Sequence, residues 1–67
     1  MYKYQLHYND IIHLQCGNYT NFIYQCRSLL IRKSHLPSDT IYKLEHDEIF
    51  NYLECILGYT IHFKGVN

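Results

Sequence analysis

Three short runs of alternating large and polar side chains open the sequence, and they constrain its fold most strongly. The runs are YKYQLHY, IIHLQC and YTNFIYQC, and the two-residue sequences ND and GN separate them. Alternation with a period of two is typical of half-buried strands, and a two-residue turn between such runs indicates a hairpin. Gly-Asn suits a type II′ turn, whereas Asn-Asp is a weaker signal. We therefore predict an antiparallel β-meander with strands at about 2–8, 11–16 and 19–26 or longer.

The third of these runs also fits a helix. Apolar side chains recur at three- and four-residue spacing from Phe22 to Leu30, which is the period of one helix face. The aromatic and β-branched residues at the start of the run favour a strand instead. The sequence thus favours a strand at 19–26 and leaves a helix over 20–33 as the alternative.

The break at SHLPSD contains the only proline, and a helix is predicted after it. We place this helix at about 40–57, with 47–57 as its best-defined part, because apolar residues form a stripe there. The stripe consists of Ile49, Tyr52, Leu53 and Ile56. Gly58 is a suitable stop, and YTIHFKG predicts a last short strand at 59–64. If the helix begins late, TIYKLE becomes a further strand. The predicted fold class is a small α+β domain.

Length and composition limit the class of protein. The chain has 67 residues, which predicts a single domain, 1–67. The formal net charge is zero, which argues against a general nucleic-acid binder, since such proteins carry a basic surplus. No apolar run reaches the roughly 20 residues of a membrane span, and three cysteines at irregular spacing do not form a disulfide framework. We therefore expect a cytoplasmic protein with no membrane partner.

The sequence contains no catalytic motif that we can identify, so we expect no enzyme, no catalytic residues and no cofactor. The candidate ligands of a structural zinc are His13, Cys16 and Cys26. In the predicted hairpin, residues three apart point to opposite faces, so His13 and Cys16 diverge. A tetrahedral site needs four converging ligands. We therefore expect buried thiols here, with zinc as the minor alternative.

The predicted register divides the large side chains between two faces of the sheet. The predicted helix can cover only one face, so the other face is expected to expose an aromatic and apolar patch. Patches of this kind mark interfaces. The predicted partner-binding residues come from this aromatic face and from the acidic side of the helix: Tyr2, Tyr4, Tyr8, Phe22, Tyr24, Asp47, Glu48 and Glu54.

These features favour a small protein-binding module that acts as a homodimer, on a host protein, or both. Residues with AT-rich codons (Ile, Asn, Lys, Tyr, Phe) far outnumber Gly, Ala, Arg and Pro, as in many low-GC bacteria and their phages. The sequence therefore predicts a phage or mobile-element inhibitor that binds and blocks a host factor in the host cytoplasm. The alternative is a small nucleic-acid-binding or structural-zinc regulator, since basic residues near Tyr24 resemble a stacking platform.

Overall fold

The computed structural model describes residues 3–63. Its elements are β1 (Tyr4–Tyr8), β2 (Ile11–Cys16), α1 (Tyr19–Lys33), α2 (Ser38–Tyr42), α3 (His46–Cys55) and β3 (Thr60–Phe63). The three strands form one antiparallel sheet in the order β2-β1-β3, so the first strand is the central one. The predicted α+β class is confirmed, and the described part of the chain contains three helices where one was expected.

The predicted hairpin between the first two strands is confirmed. Tyr8 pairs with Ile11 across the two-residue turn. Asn9 and Asp10 both have positive φ, at 53° and 65°, as a type I′ turn requires. This turn twists in the same sense as the strands that it joins, so the weaker of the two turn signals in the sequence forms the hairpin.

A β-bulge in β2 changes which side chains share a face. Leu6 pairs with Leu14, but the neighbouring pair is His7 with Ile12, so His13 is an extra residue. The extra residue shifts the alternation of β2 by one position. As a result, the apolar side chains after the bulge lie on the same face of the sheet as Leu6, and the predicted division of apolar residues between two faces is wrong.

The predicted third strand at 19–26 is also wrong, because this segment belongs to α1. Asn18, in the predicted turn, is instead the N-cap: its side-chain oxygen accepts a hydrogen bond from the backbone N–H of Asn21 at 2.8 Å. A strand would send successive side chains to opposite faces, whereas the helix buries its apolar residues together. The period of three to four therefore outweighs the local β propensity. The buried residues of α1 are Phe22, Ile23, Cys26, Leu29 and Leu30.

The predicted helix at 40–57 is two helices. Pro37 precedes α2, and a short link ends at Glu45, the residue before α3. The backbone N–H of Glu45 donates to the carboxylate of Glu48 at 2.8 Å, which satisfies one N-terminal donor of α3. After α3, Gly58 has a φ of 81°, a conformation that favours glycine. The best-defined part of the prediction, 47–57, corresponds to α3.

The predicted last strand at 59–64 is confirmed as β3 up to Phe63, and residue 64 lies outside the described residues. The alternative strand at TIYKLE is not formed, because its first residues lie in α2. Burial explains this choice: Ile41 is fully buried and attaches the short helix α2 to the core.

A cluster of aromatic rings joins the sheet to the helices. The rings of Tyr4 and Phe22 stack with centroids 5.6 Å apart, and Phe63 meets Tyr4 edge-on at 5.6 Å. Phe50 of α3 lies 6.1 Å from both Phe22 and Phe63. Each such pair contributes about 0.5–1.5 kcal/mol beyond the burial of its area. The helices are thus fixed on one face of the sheet, the face of Leu6.

Candidate interaction surfaces

The structure does not bring the predicted aromatic residues together on one face. Phe22 is fully buried and Tyr4 packs half-buried against it, whereas Tyr8 and Tyr24 are 44% and 64% exposed on different elements. Tyr2 lies outside the described residues. The expectation of a continuous exposed aromatic face is therefore wrong, because it assumed a strand where α1 forms.

The uncovered face of the sheet is mostly polar, although Ile12, which pairs with His7, is 47% exposed there. The amide of Gln5 donates to the side-chain oxygen of Gln15 at 3.3 Å, and Nε2 of His7 lies 3.0 Å from Oε1 of Gln5. The rings of His7 and His62 stack with centroids 4.0 Å apart. The apolar patch that supported the predicted homodimer is thus not found on this face.

The three candidate zinc ligands lie in different surroundings. His13 is exposed at the bulge, where its ring meets that of Tyr59 at 5.5 Å, while Cys16 and Cys26 are buried in the core. Burial, with a smaller contribution from Cys16, raises the pKa of the Cys26 thiol to about 12. Only a thiolate binds metal or attacks. Residues 3–63 contain no group of three or more His, Cys, Asp or Glu side chains that could hold a metal ion.

The predicted acidic residues of α3 are all exposed, but they lie on two sides of the helix. Asp47 and Glu54 are seven residues apart, so they lie on one side, two turns from each other. Glu48 is turned about 100° from Asp47 and lines a groove. The acidic charge is therefore spread around the exposed part of α3.

This groove, the α3 groove, has a volume of about 350 Å³. Its lining residues are Leu36, Leu44, Glu48, Asn51, Tyr52, Cys55 and Ile56. Ile56 is 64% exposed, and Glu48 and Asn51 provide polar groups. Tyr52 and Ile56 belong to the apolar stripe predicted from the sequence, whereas the other apolar residues that line the groove were not predicted. The signal was present in the spacing, because Glu48, Tyr52, Cys55 and Ile56 repeat at helical intervals beside the buried residues.

A second concave site, the tyrosine–arginine cleft, lies where α1, α2 and α3 meet. Its volume is about 260 Å³, and its lining residues are Tyr19, Thr20, Ile23, Tyr24, Arg27, Tyr42 and His46. Nη2 of Arg27 donates to the carbonyl oxygen of Leu44 at 3.2 Å. Nε of Arg27 is buried and has no hydrogen-bond partner among the described residues. The cleft thus combines aromatic rings with one incompletely paired cation.

None of the helices within residues 3–63 is long and apolar enough to cross a membrane. The fold and these sites define a small α+β domain in which helices cover one face of a three-stranded antiparallel sheet. Comparison with protein-family models, with curated proteins and with solved structures finds no match.

Proposed function

We propose that this chain is a non-enzymatic protein-binding module whose partner inserts apolar side chains into the α3 groove. The observation that carries the proposal is an apolar groove, open at Ile56, with the Glu48 carboxylate in its lining. An apolar centre with a polar rim is the usual anatomy of an interface. A concave apolar surface beside a helix also suits the apolar face of a partner helix.

The charge of α3 selects the kind of partner. Residues 46–55 contain the acidic side chains Asp47, Glu48 and Glu54 and no lysine or arginine. Complementary charge steers association and disfavours partners of the same sign. We therefore propose that the partner presents an amphipathic segment with basic residues beside its apolar face.

A basic partner surface is common on proteins that bind nucleic acids. We accordingly propose that the chain is an inhibitor, encoded by a phage or mobile element, that blocks such a host protein in the host cytoplasm. The AT-rich composition and the acidic surface of α3 support this role.

A second copy of the chain is the second candidate partner. The last turn of α1 carries Arg32 and Lys33, both exposed, and these side chains are complementary to the acidic residues of α3. Native mass spectrometry of the purified protein distinguishes a dimer from a monomer. In a dimer of this kind, Glu54→Lys should shift the mass distribution towards the monomer.

The partner chemistry is tested by NMR titration of the labelled protein with a synthetic amphipathic helix of leucine and lysine. The matched probe has the same pattern with glutamate in place of lysine. We expect only the basic peptide to shift the amide signals of Leu36, Leu44 and Ile56. Equal binding of both peptides, or shifts confined to other residues, would contradict the proposal.

One variant separates charge from helix stability in the same titration. Glu48→Gln removes the charge at the groove but retains an oxygen that can accept the Glu45 N–H hydrogen bond. We expect this variant to keep its fold and to bind the basic peptide more weakly. Glu48→Lys is a poorer test, because it also removes the acceptor at the start of α3.

A further inference from the structure

The tyrosine–arginine cleft has a chemistry opposite to that of the α3 groove, although the two are adjacent. Leu44 lines the groove, and its carbonyl oxygen accepts the hydrogen bond from Arg27 in the cleft. The cleft contains Arg27 and His46, whereas the groove contains Glu48. The two sites therefore suit ligands of different charge, and this inference does not depend on the proposed function.

Exposed aromatic rings line the cleft from two helices. Tyr24 of α1 is 64% exposed and Tyr42 of α2 is 60% exposed. Large rings that remain in water on a small domain are available for stacking. Planar bases stack on such rings with little regard to sequence, because every base has a π-face.

The guanidinium of Arg27 is positioned by a hydrogen bond and retains N–H groups that can donate to a ligand. The bond from its Nη2 to Leu44 uses one of the five guanidinium N–H groups. A fixed guanidinium matches the oxygens of a phosphate or carboxylate and loses little freedom when it binds them. His46 is also positioned, since its Nδ1 lies 3.2 Å from the hydroxyl of Tyr19.

We propose that this cleft binds one nucleoside monophosphate unit, with the base stacked on Tyr24 and Tyr42 and the phosphate on Arg27. A free nucleotide and the end of a single strand share this chemistry. The volume of about 260 Å³ lies just below the usual range of ligand pockets, about 300–1,000 Å³, so the cleft suits one unit. The zero net charge likewise fits a single anionic group better than a long phosphate backbone.

The carboxylate of Asp47, next to a lining residue in the chain, opposes the anion. Asp47 directly follows His46, a lining residue of the cleft, in the first turn of α3. Burial raises the pKa of Tyr19, another lining residue, with smaller contributions from Tyr4, Cys26 and Asp47. The negative charge of Asp47 repels a phosphate on Arg27. Removal of this charge should therefore strengthen binding of the nucleotide, whereas removal of the arginine should weaken it. The two variants thus test the proposal by changes of affinity in opposite directions.

The experiment is an NMR titration of the full chain with adenosine monophosphate, adenosine and inorganic phosphate. We expect adenosine monophosphate to shift the signals of Tyr24, Arg27 and Tyr42. Adenosine and phosphate should each bind at least about tenfold more weakly, because each uses only half of the site. Lack of any shift, or equal affinity for adenosine and its monophosphate, would overturn the proposal.

The variants decide whether the cleft itself is the site. Arg27→Gln should weaken binding of adenosine monophosphate by about tenfold or more, and Asp47→Asn should strengthen it. Lys3→Gln is the matched control, because it removes an exposed cation that does not line the cleft, and its affinity should be unchanged. If Arg27→Gln unfolds the chain, Tyr42→Ala replaces it, since this exposed ring is not part of the core. Unchanged affinity in Tyr42→Ala would overturn the proposal.

Two further ligands identify the source of the nucleotide and exclude a peptide. A short oligoadenylate with a 5′ phosphate that binds about as well as adenosine monophosphate indicates a free nucleotide. Affinity at least about tenfold higher indicates the end of a strand, and both results agree with the proposed chemistry. If an acidic tyrosine-containing peptide binds more tightly than both, the cleft is a peptide site and the proposal is wrong.

Discussion

At the scale of single residues, His13 determines which side chains of β2 face the helices. The turn at Asn9 and Asp10 could be predicted, because both residue types tolerate positive φ. The position of the bulge could not, because IIHLQC contains no glycine and its one break in alternation, the Ile11–Ile12 pair, lies before His13. A single extra residue therefore reversed the predicted faces and removed the argument for an exposed apolar sheet.

Asn18 provides a test of where α1 begins. Its side chain accepts a hydrogen bond from the Asn21 backbone at 2.8 Å. Loss of such a cap costs about 1 kcal/mol, so Asn18→Ala should lower the free energy of unfolding by about that amount, whereas Asn18→Asp should retain most of it. Urea unfolding followed by circular dichroism measures both. Equal stability of Asn18→Ala and the parent would show that Asn18 does not cap a helix.

The raised pKa of the Cys26 thiol predicts how the stability of the fold depends on pH. The folded pKa of its thiol is about 12, above the ordinary value of 9.0. The folded chain therefore holds this proton more firmly than the unfolded chain does, and the stabilisation is complete below pH 9 and is lost as pH rises towards 12. Urea unfolding at a series of pH values should show a falling free energy of unfolding in this range.

The matched variants isolate the thiol from the other groups that titrate at high pH. Cys26→Ala should make the decline shallower, whereas Cys55→Ser, at an exposed position, should leave the slope unchanged. An equal slope of the free energy of unfolding against pH in the parent and in Cys26→Ala would show that the Cys26 thiol does not contribute.

At the scale of elements, α1 shows why the sequence was ambiguous. Phe22 and Tyr24 are two residues apart, so a strand places them on one face, whereas a helix separates them by about 200°. Both residue types favour strands, and the competing helical period extends over residues 22–30. The three- to four-residue spacing of apolar side chains was visible in the sequence. Whether it outweighs the local strand propensity depends on which side chains are buried, and the sequence alone does not show this.

The same two residues supply a prediction. Phe22 is fully buried and contacts the rings of Tyr4 and Phe50, whereas Tyr24 is 64% exposed. Phe22→Ala should therefore cost about 3–5 kcal/mol, enough to unfold much of a small domain. Tyr24→Ala should change stability by less than about 0.5 kcal/mol. Thermal unfolding of the two variants checks this, and similar losses would contradict the helical assignment.

At the scale of the whole molecule, the separation of charge along the chain becomes a separation between surfaces. The sequence is basic in residues 1–38 and acidic in residues 39–63, and the structure places this difference on α1 and α3. The two concave sites could not be predicted, because each is formed by residues from several elements. Leu36 and Leu44, for example, come from the segments that flank α2.

The central claim is that the α3 groove binds a basic amphipathic partner, and calorimetric titration of two isoleucine variants with the leucine–lysine peptide tests it most directly. Ile56 lines the groove and is 64% exposed, while Ile11 lies in β2, does not line the groove and is 68% exposed. Both can be changed to serine with little cost to the core.

We predict that Ile56→Ser weakens binding of the peptide by about tenfold, the effect of an anchor worth about 1.4 kcal/mol, and that Ile11→Ser leaves the affinity unchanged. Equal affinities of the parent and Ile56→Ser, or an equal loss in both variants, would contradict the account.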